Sequence, residues 1–267
     1  MLYCRGLRPP RAGAIQLRFG AFFSAADLPI VPVRFGRAGL IKSWGMFGND
    51  KWGCCAWAGS AHETMMLCAD AATPLAPPQL PPAKAVPIFQ TENILADYAA
   101  ATGFNPTMPF SDQGTDLQQM CAYRQKTGII DFTGKRHTID VYADLRVGDL
   151  AELSLATYLN GATGVGVSLP SNAEDQFDNG EVWSVVPNQP GGDGHYISCI
   201  GRNSVGNYIF VTWGRLQAAT PAWVQTYMNS GVAYISRERL NAKGLSPQGY
   251  NAAALNDNFK QLTGVAA

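Results

Sequence analysis

The chain has 267 residues, enough for one large domain or one domain with an extension, and 46% of them are apolar, which suffices for a substantial core. Charged residues make up 15% and the formal net charge is zero, which argues against nucleic acid as a main partner, because phosphate binding needs an excess of Lys and Arg. No apolar run approaches the roughly 18 residues of a membrane span, six cysteines are too sparse for a disulfide scaffold, and three histidines without CxxC or HExxH spacing speak against a zinc site. The totals therefore predict no metal, no cofactor, no membrane partner, and reduced thiols at Cys4, Cys68 and Cys121 in a cytoplasmic protein.

Residues 1–27 stand apart as a basic leader. Arg5, Arg8, Arg11 and Arg18 occur with no acidic residue before Asp27, and neither a clean helix nor a signal-peptide h-region is visible. A disordered leader is expected. Leu28 to Val33 reads as extended, because each residue before a proline is pushed to β or polyproline geometry.

The next stretch, Gly48-Asn49-Asp50-Lys51-Trp52-Gly53-Cys54-Cys55, is a turn-forming segment that runs into an Ala/Met-rich helix ending near Asp70. It places a cysteine at a loop-to-helix junction, where free N–H groups and the positive dipole end favour a thiolate. Residues 73–87 are proline-dense and predict a surface crossing. A second helix runs from about Glu92 to Ala101. A third starts at a Thr115/Gln118 capping box and is closed by Gly128. Thr138–Ala143 alternates like a strand, and Asp149–Leu159 is a fourth helix stopped by Gly161.

From there the pattern becomes β. Gly164–Leu169, Gly194–Gly201 and Tyr208–Trp213 read as strands, the last two joined in a hairpin by the turn at 203–207. Thr220-Pro221 opens a short helix ended by Gly231, and Val232–Ser236 is a final strand. Residues 237–267 form a peripheral tail. Helices first and antiparallel strands afterwards predict an α+β fold.

Three histidines can be tested as a base for the cysteine. His62 lies seven residues beyond Cys55 on the same helix, roughly 10 Å along the axis, out of reach of a general base. His137, among Lys135, Arg136 and Thr138, reads as a solvated turn residue. His195 follows Gly191-Gly192-Asp193-Gly194 and opens an apolar strand, which holds it on a rigid element facing an accessible cleft.

Cysteine at a helix start, followed about 140 residues later by a histidine heading an antiparallel strand, resembles the papain-like cysteine peptidases. Residues 164–183 are similar to the family's strand, acidic turn and return ahead of the histidine, and Val211-Thr212-Trp213-Gly214 resembles its Asn-Ser-Trp-Gly motif. The likeness is nearest to papain-fold proteins of bacterial and prophage genomes and covers residues 28–236. It implies a helical half carrying the cysteine, packed on an antiparallel sheet or half-barrel carrying the histidine. It also implies Cys55 as nucleophile, His195 as base, and Asn49 in the place of the oxyanion-hole glutamine. The family's orienting Asn falls on Val211, which cannot orient an imidazole. Thr212 could do so after a bulge or register change. Cys54 stays open as a spectator, a redox partner or the true thiol.

The reading that follows is a thiol hydrolase cutting peptide or amide bonds of a peptide or protein substrate. Its rival is a catalytically impaired structural or binding protein of a phage or prophage, virion-associated, with phage-particle proteins as partners. A third reading is a Cys-His enzyme acting on peptidoglycan amides. Trp44, Trp52, Trp57, Trp183 and Trp213 either line a cleft or fill the core.

Overall fold

The computed structural model describes residues 3–22, 29–71 and 86–239. Its helices are α1 (Cys55–Ala71), α2 (Thr91–Thr102), α3 (Leu117–Lys126), α4 (Leu150–Asn160), α5 (Asn172–Asp178) and α6 (Pro221–Tyr227). The strands are β1 (Phe35–Gly36), β2 (Ile129–Ile130), β3 (Arg136–His137), β4 (Val141–Asp144), β5 (Thr163–Ser168), β6 (Gly194–Arg202), β7 (Tyr208–Thr212), β8 (Arg215–Ala219) and β9 (Met228–Ile235). The main sheet is antiparallel, in the order β4-β9-β5-β6-β7-β8 with β1 added against β6, and β2 and β3 form a separate hairpin. The α+β expectation holds. Among the described residues, no helix is long and apolar enough to cross a membrane.

Two cores lie on the two faces of this sheet. Strand β6 feeds both by alternation: Tyr196 and Ile200 point to the core shared with α1, α2 and α3, while Ile197 and Cys199 point to the core under α4 and α6. Helix α1 is buried along most of its length, because its small residues let it sit directly on the sheet. A Cβ on Gly59 would lie 2.5 Å from the Tyr196 ring, so glycine, unfavourable in a helix by about 1 kcal/mol, is what permits this approach.

Burying α1 also buries Glu63. Arg124 of α3 pairs with it at zero side-chain exposure, the Tyr196 hydroxyl donates to it at 2.6 Å and Ser198 Oγ at 3.0 Å. The Arg124 guanidinium also stacks over Tyr234 of β9 at 4.2 Å. One buried carboxylate thus ties α1, α3 and β6 together and holds the middle of α1 against β6.

Several local expectations need correction. The cap of α3 is Asp116, which accepts from Gln119 N, rather than Thr115 with Gln118; Thr115 instead faces residues 6–8 and accepts the Trp57 indole N–H. Helix α6 passes straight into β9 at Met228 and does not extend to Gly231. The acidic stretch before Trp183 is helix α5, and strand β8 has too few apolar residues to be legible. Residues 3–22 are not a disordered leader: Tyr3, Leu7, Ile15 and Phe19 are buried in the two cores. Arg239, expected in a peripheral tail, is buried and donates to the Leu159 carbonyl. Most of the proline-dense stretch, and residues 240–267, lie outside the described residues.

Candidate active site

The loop before α1 turns sharply at Phe47 and Gly48, both at positive φ. This brings Asn49 inside, where its Nδ2 donates to the carbonyls of Trp52 and Cys4, each at 3.0 Å. Gly53 N–H donates to Asp112 at 2.8 Å, and the chain then enters α1 at Cys55. The two cysteines part here. The Cys54 thiol donates to the Phe47 carbonyl at 3.6 Å within its own loop, and burial pushes it well up. Cys55 is 2% exposed. Burial raises its thiol to about 11, opposed by the backbone N–H groups of Tyr196, Gly6, Ala56 and Cys55 that face the sulfur.

The N–H of Tyr196 belongs to β6, one residue past His195, so the cysteine and histidine elements meet at this point. His195 Nε2 lies 2.8 Å from Thr212 Oγ1, and its Nδ1 is buried without a hydrogen-bond partner. When Nε2–H donates to Thr212, Nδ1 is left as the basic nitrogen. The register that makes this possible comes from a bulge. Gly201 pairs with Ile209, but past an irregularity at Cys199–Gly201 the pairing becomes Ser198 with Val211. That one-residue shift sends Val211 to the α1 core and puts Thr212 on the face of His195 and Ile197. Trp213, at φ 46°, stacks on the imidazole at 4.6 Å.

The cleft is filled. Residues 4–8 run through it, with Cys4 N–H donating to Asn49 O at 3.0 Å and Leu7 N–H to Gly194 O at 3.0 Å. On the opposite wall Thr115 N–H donates to Gly6 O at 2.6 Å and Arg8 N–H to Thr115 O at 2.9 Å. Glycines make the slot. A Cβ on Gly114 would come within 2.2 Å of Gly6 O, one on Gly194 within 2.1 Å of Leu7 O, and one on Gly53 within 3.2 Å of Arg5 O. Outside the slot, Arg5 pairs with Glu174 at 2.8 Å, and Tyr3 stacks on Trp213 at 4.4 Å while bonding Asp178.

His195 is therefore 0% exposed, not open to solvent as its strand-edge position predicts. Burial, with the Arg5 charge nearby, lowers it to about 3. With the segment in place, thiol and imidazole are both neutral at pH 7. His62 is a buried histidine bonded to Gly45 O at 3.0 Å, away from this cleft as expected. His137 is the clear miss: it is buried between two carboxylates rather than solvated. Of the five tryptophans considered as cleft or core, Trp44, Trp57, Trp183 and Trp213 are buried, and Trp213 covers the histidine.

Comparison with solved structures identifies this arrangement of helix and sheet. Xylellain, a cysteine protease from Xylella fastidiosa, superposes with a TM-score of 0.61 over 88% of this chain and 96% of its own, at 11% identity. The chain has a papain-like cysteine peptidase fold. A digestive procathepsin L2 from the Tenebrio molitor larval midgut (TM-score 0.57, 14% identity, covering 87% of this chain and 78% of that one) and a recombinant stem bromelain precursor (0.54, 14%, 88% and 78%) superpose similarly. No protein-family model matches the chain, and no curated protein matches it in sequence. Within the papain-like fold, Cys55 starts the helix of one half and His195 the sheet strand of the other. Residues 3–8 were missed from sequence, because their partners lie 45 to 212 residues away; the signal present was glycine at positions 6, 53, 114 and 194.

Proposed function

We propose that the chain is a thiol hydrolase of papain type, latent in the form described, that cleaves peptide or amide bonds in extended segments of peptide or protein substrates. The observation that carries this reading is the slot itself. It already binds a polypeptide by its backbone, along both walls, with the Cys55 sulfur at its floor. A substrate replacing residues 4–8 would place its scissile carbonyl between Cys55 and Asn49. Cys55 then gives its proton to His195 Nδ1, and the thiolate attacks the carbonyl carbon. The developing oxyanion accepts from Asn49 Nδ2 and Cys55 N–H. His195, held by Thr212, returns the proton to the leaving amine, and water completes the cycle by hydrolysing the thioester.

Residues 4–8 do not themselves make this geometry. The carbonyl bonded to the Asn49 amide is that of Cys4, whereas the sulfur faces the N–H of Gly6. The Gly6 carbonyl is turned to Thr115. The peptide unit at the sulfur, Arg5–Gly6, and the carbonyl held by Asn49, that of Cys4, are thus one residue apart, so the segment blocks without being positioned for cleavage.

The test is labelling of Cys55 by an electrophilic peptide probe after residues 3–8 are displaced. Labelling at Cys55 that disappears in His195→Ala supports the hydrolase. A second reading, a catalytically impaired binding or accessory protein of a phage particle, is favoured by the raised Cys55 thiol and the lowered His195 of the filled slot. It predicts no probe reaction at Cys55 whether or not the slot is open.

A further inference from the structure

We propose that Cys68, His137 and Glu238 form a binding site for a zinc-type transition-metal ion, apart from the Cys55–His195 cleft. The three come from separate elements: the penultimate turn of α1, strand β3, and the short turn after β9. Their ligand atoms (Cys Sγ, His Nδ1, a Glu oxygen) lie within 4.8 Å of one another. His137 Nδ1 is 2.7 and 2.8 Å from the two Glu238 oxygens, and Cys68 Sγ is 3.0 Å from Oε2.

The ring is already fixed for ligation. His137 Nε2 sits 3.0 Å from Asp131 Oδ2, and Asp131 is held in turn by Thr133 N–H at 2.8 Å, Thr133 Oγ1 at 2.7 Å and Lys135 N–H at 3.0 Å through its other oxygen. A carboxylate on one imidazole nitrogen, with the other aimed at a thiol and a second carboxylate, is the outer-shell arrangement that orients metal-binding histidines. The donor set selects the ion: thiolate and imidazole suit zinc or cobalt, whereas magnesium and calcium need oxygen ligands.

The Cys68 thiol donates to Glu238 Oε2, and His137 Nδ1 faces both oxygens of the same carboxylate. Ligation needs the thiolate and an unprotonated Nδ1, so binding of a divalent ion releases the Cys68 proton and any proton on Nδ1. The Nε2–H stays on Asp131. The net charge of ligands plus ion then falls to zero. Lys135 Nζ, 3.0 Å from Glu238 Oε1 on a mostly exposed side chain, is the cation that an ion here would displace. Water fills the remaining tetrahedral position. An ion here clips α1, the β2–β3 hairpin and the turn after β9 across two long stretches of chain.

The experiment is titration of the full-length, chelator-treated chain with Co2+, read by absorption and thermal melting. One equivalent is expected to give an intense visible tetrahedral band, a near-ultraviolet thiolate-to-cobalt band and a raised Tm, with Zn2+ displacing the colour. Cys68→Ser removes the thiolate band, while Cys199→Ser, on the other face of the sheet, keeps it. Asp131→Asn leaves all three ligands and weakens binding by about 10- to 100-fold. Glu238→Gln, at the partly exposed edge, weakens it while preserving the fold. Absence of a stoichiometric band in the unsubstituted chain, or a band that survives Cys68→Ser, overturns the site and leaves a hydrogen-bonded ion cluster. Should Cys68→Ser fail to fold, unchanged affinity in Glu238→Gln overturns it equally.

Discussion

Replacement of Leu7 by Ala isolates how firmly the slot is closed. Leu7 is 5% exposed and packs in the α1 core, and its side chain leaves that core when residues 4–8 detach. Burial of a leucine is worth about 1.5–3 kcal/mol over full exposure, so Leu7→Ala should weaken closure by about 2 kcal/mol, roughly a 30-fold rise in the open population. The main-chain bonds of Leu7 to Gly194 and of Gly6 to Thr115 are untouched by the change. Alkylation of Cys55 by iodoacetamide, followed residue by residue by mass spectrometry, reads that population directly. Cys121 and Cys199, both at zero exposure, report global unfolding in the same sample. The expected result is a roughly 30-fold faster reaction at Cys55, with the ratio of Cys55 to Cys121 labelling rising in step. If all three cysteines accelerate together, Leu7 stabilises the whole domain and the segment does not open as a unit. If Cys55 does not accelerate, the segment is not what shields it.

Thr212→Val removes the hydroxyl 2.8 Å from His195 Nε2; kcat of the opened protein should fall by about 10- to 100-fold, a part of the ~10²–10⁴ that a positioned acid–base supplies, with KM little changed and Thr212→Ser restoring most of it. Acid should open the slot. His195 is held near 3 in the closed form against about 6.5 when free, so closure is fully favoured above ~6.5 and is lost as pH falls toward ~3, about 25-fold between pH 7 and 5. Hydrogen exchange at the Leu7 and Arg8 amides, corrected for intrinsic rates, checks this, and protection that is flat over that range contradicts it. Glu63→Gln leaves Arg124 buried without its counter-charge and should cost about 3–5 kcal/mol, measured by urea unfolding; a cost under ~1 kcal/mol would mean that the pair adds little to the seating of α1.

What the sequence made legible and what it hid divide along one physical line. Helix α1, α4 and strands β5 to β7 carry their own signals, because apolar periodicity and a closing glycine such as Gly161 are local. The placing of Cys55 at a helix start and His195 at a strand start is local too, and so is the absence of the orienting Asn at Val211. The remedy for that absence is not local. Thr212 reaches His195 only because β6 carries an extra residue at Cys199–Gly201; in the run Ile197 to Arg202, Gly201 alone hints at a bulge, and it does not fix the register before the partner strand is known. The same holds for His137, whose polar neighbours Lys135 and Arg136 suggest solvent. Its burial depends on Asp131 across a hairpin and on Glu238 about a hundred residues away. Residues 3–8 are the extreme case. A basic, proline-flanked stretch has no core of its own, and it becomes ordered by borrowing one: Tyr3 takes the face of Trp213, Leu7 the α1 core, and the backbone between them a slot walled by glycines. The site is thus built from residues whose types are readable and whose registers are not. What fills the slot follows from the same packing, since its glycine walls admit the chain's own backbone at Arg5, Gly6 and Leu7.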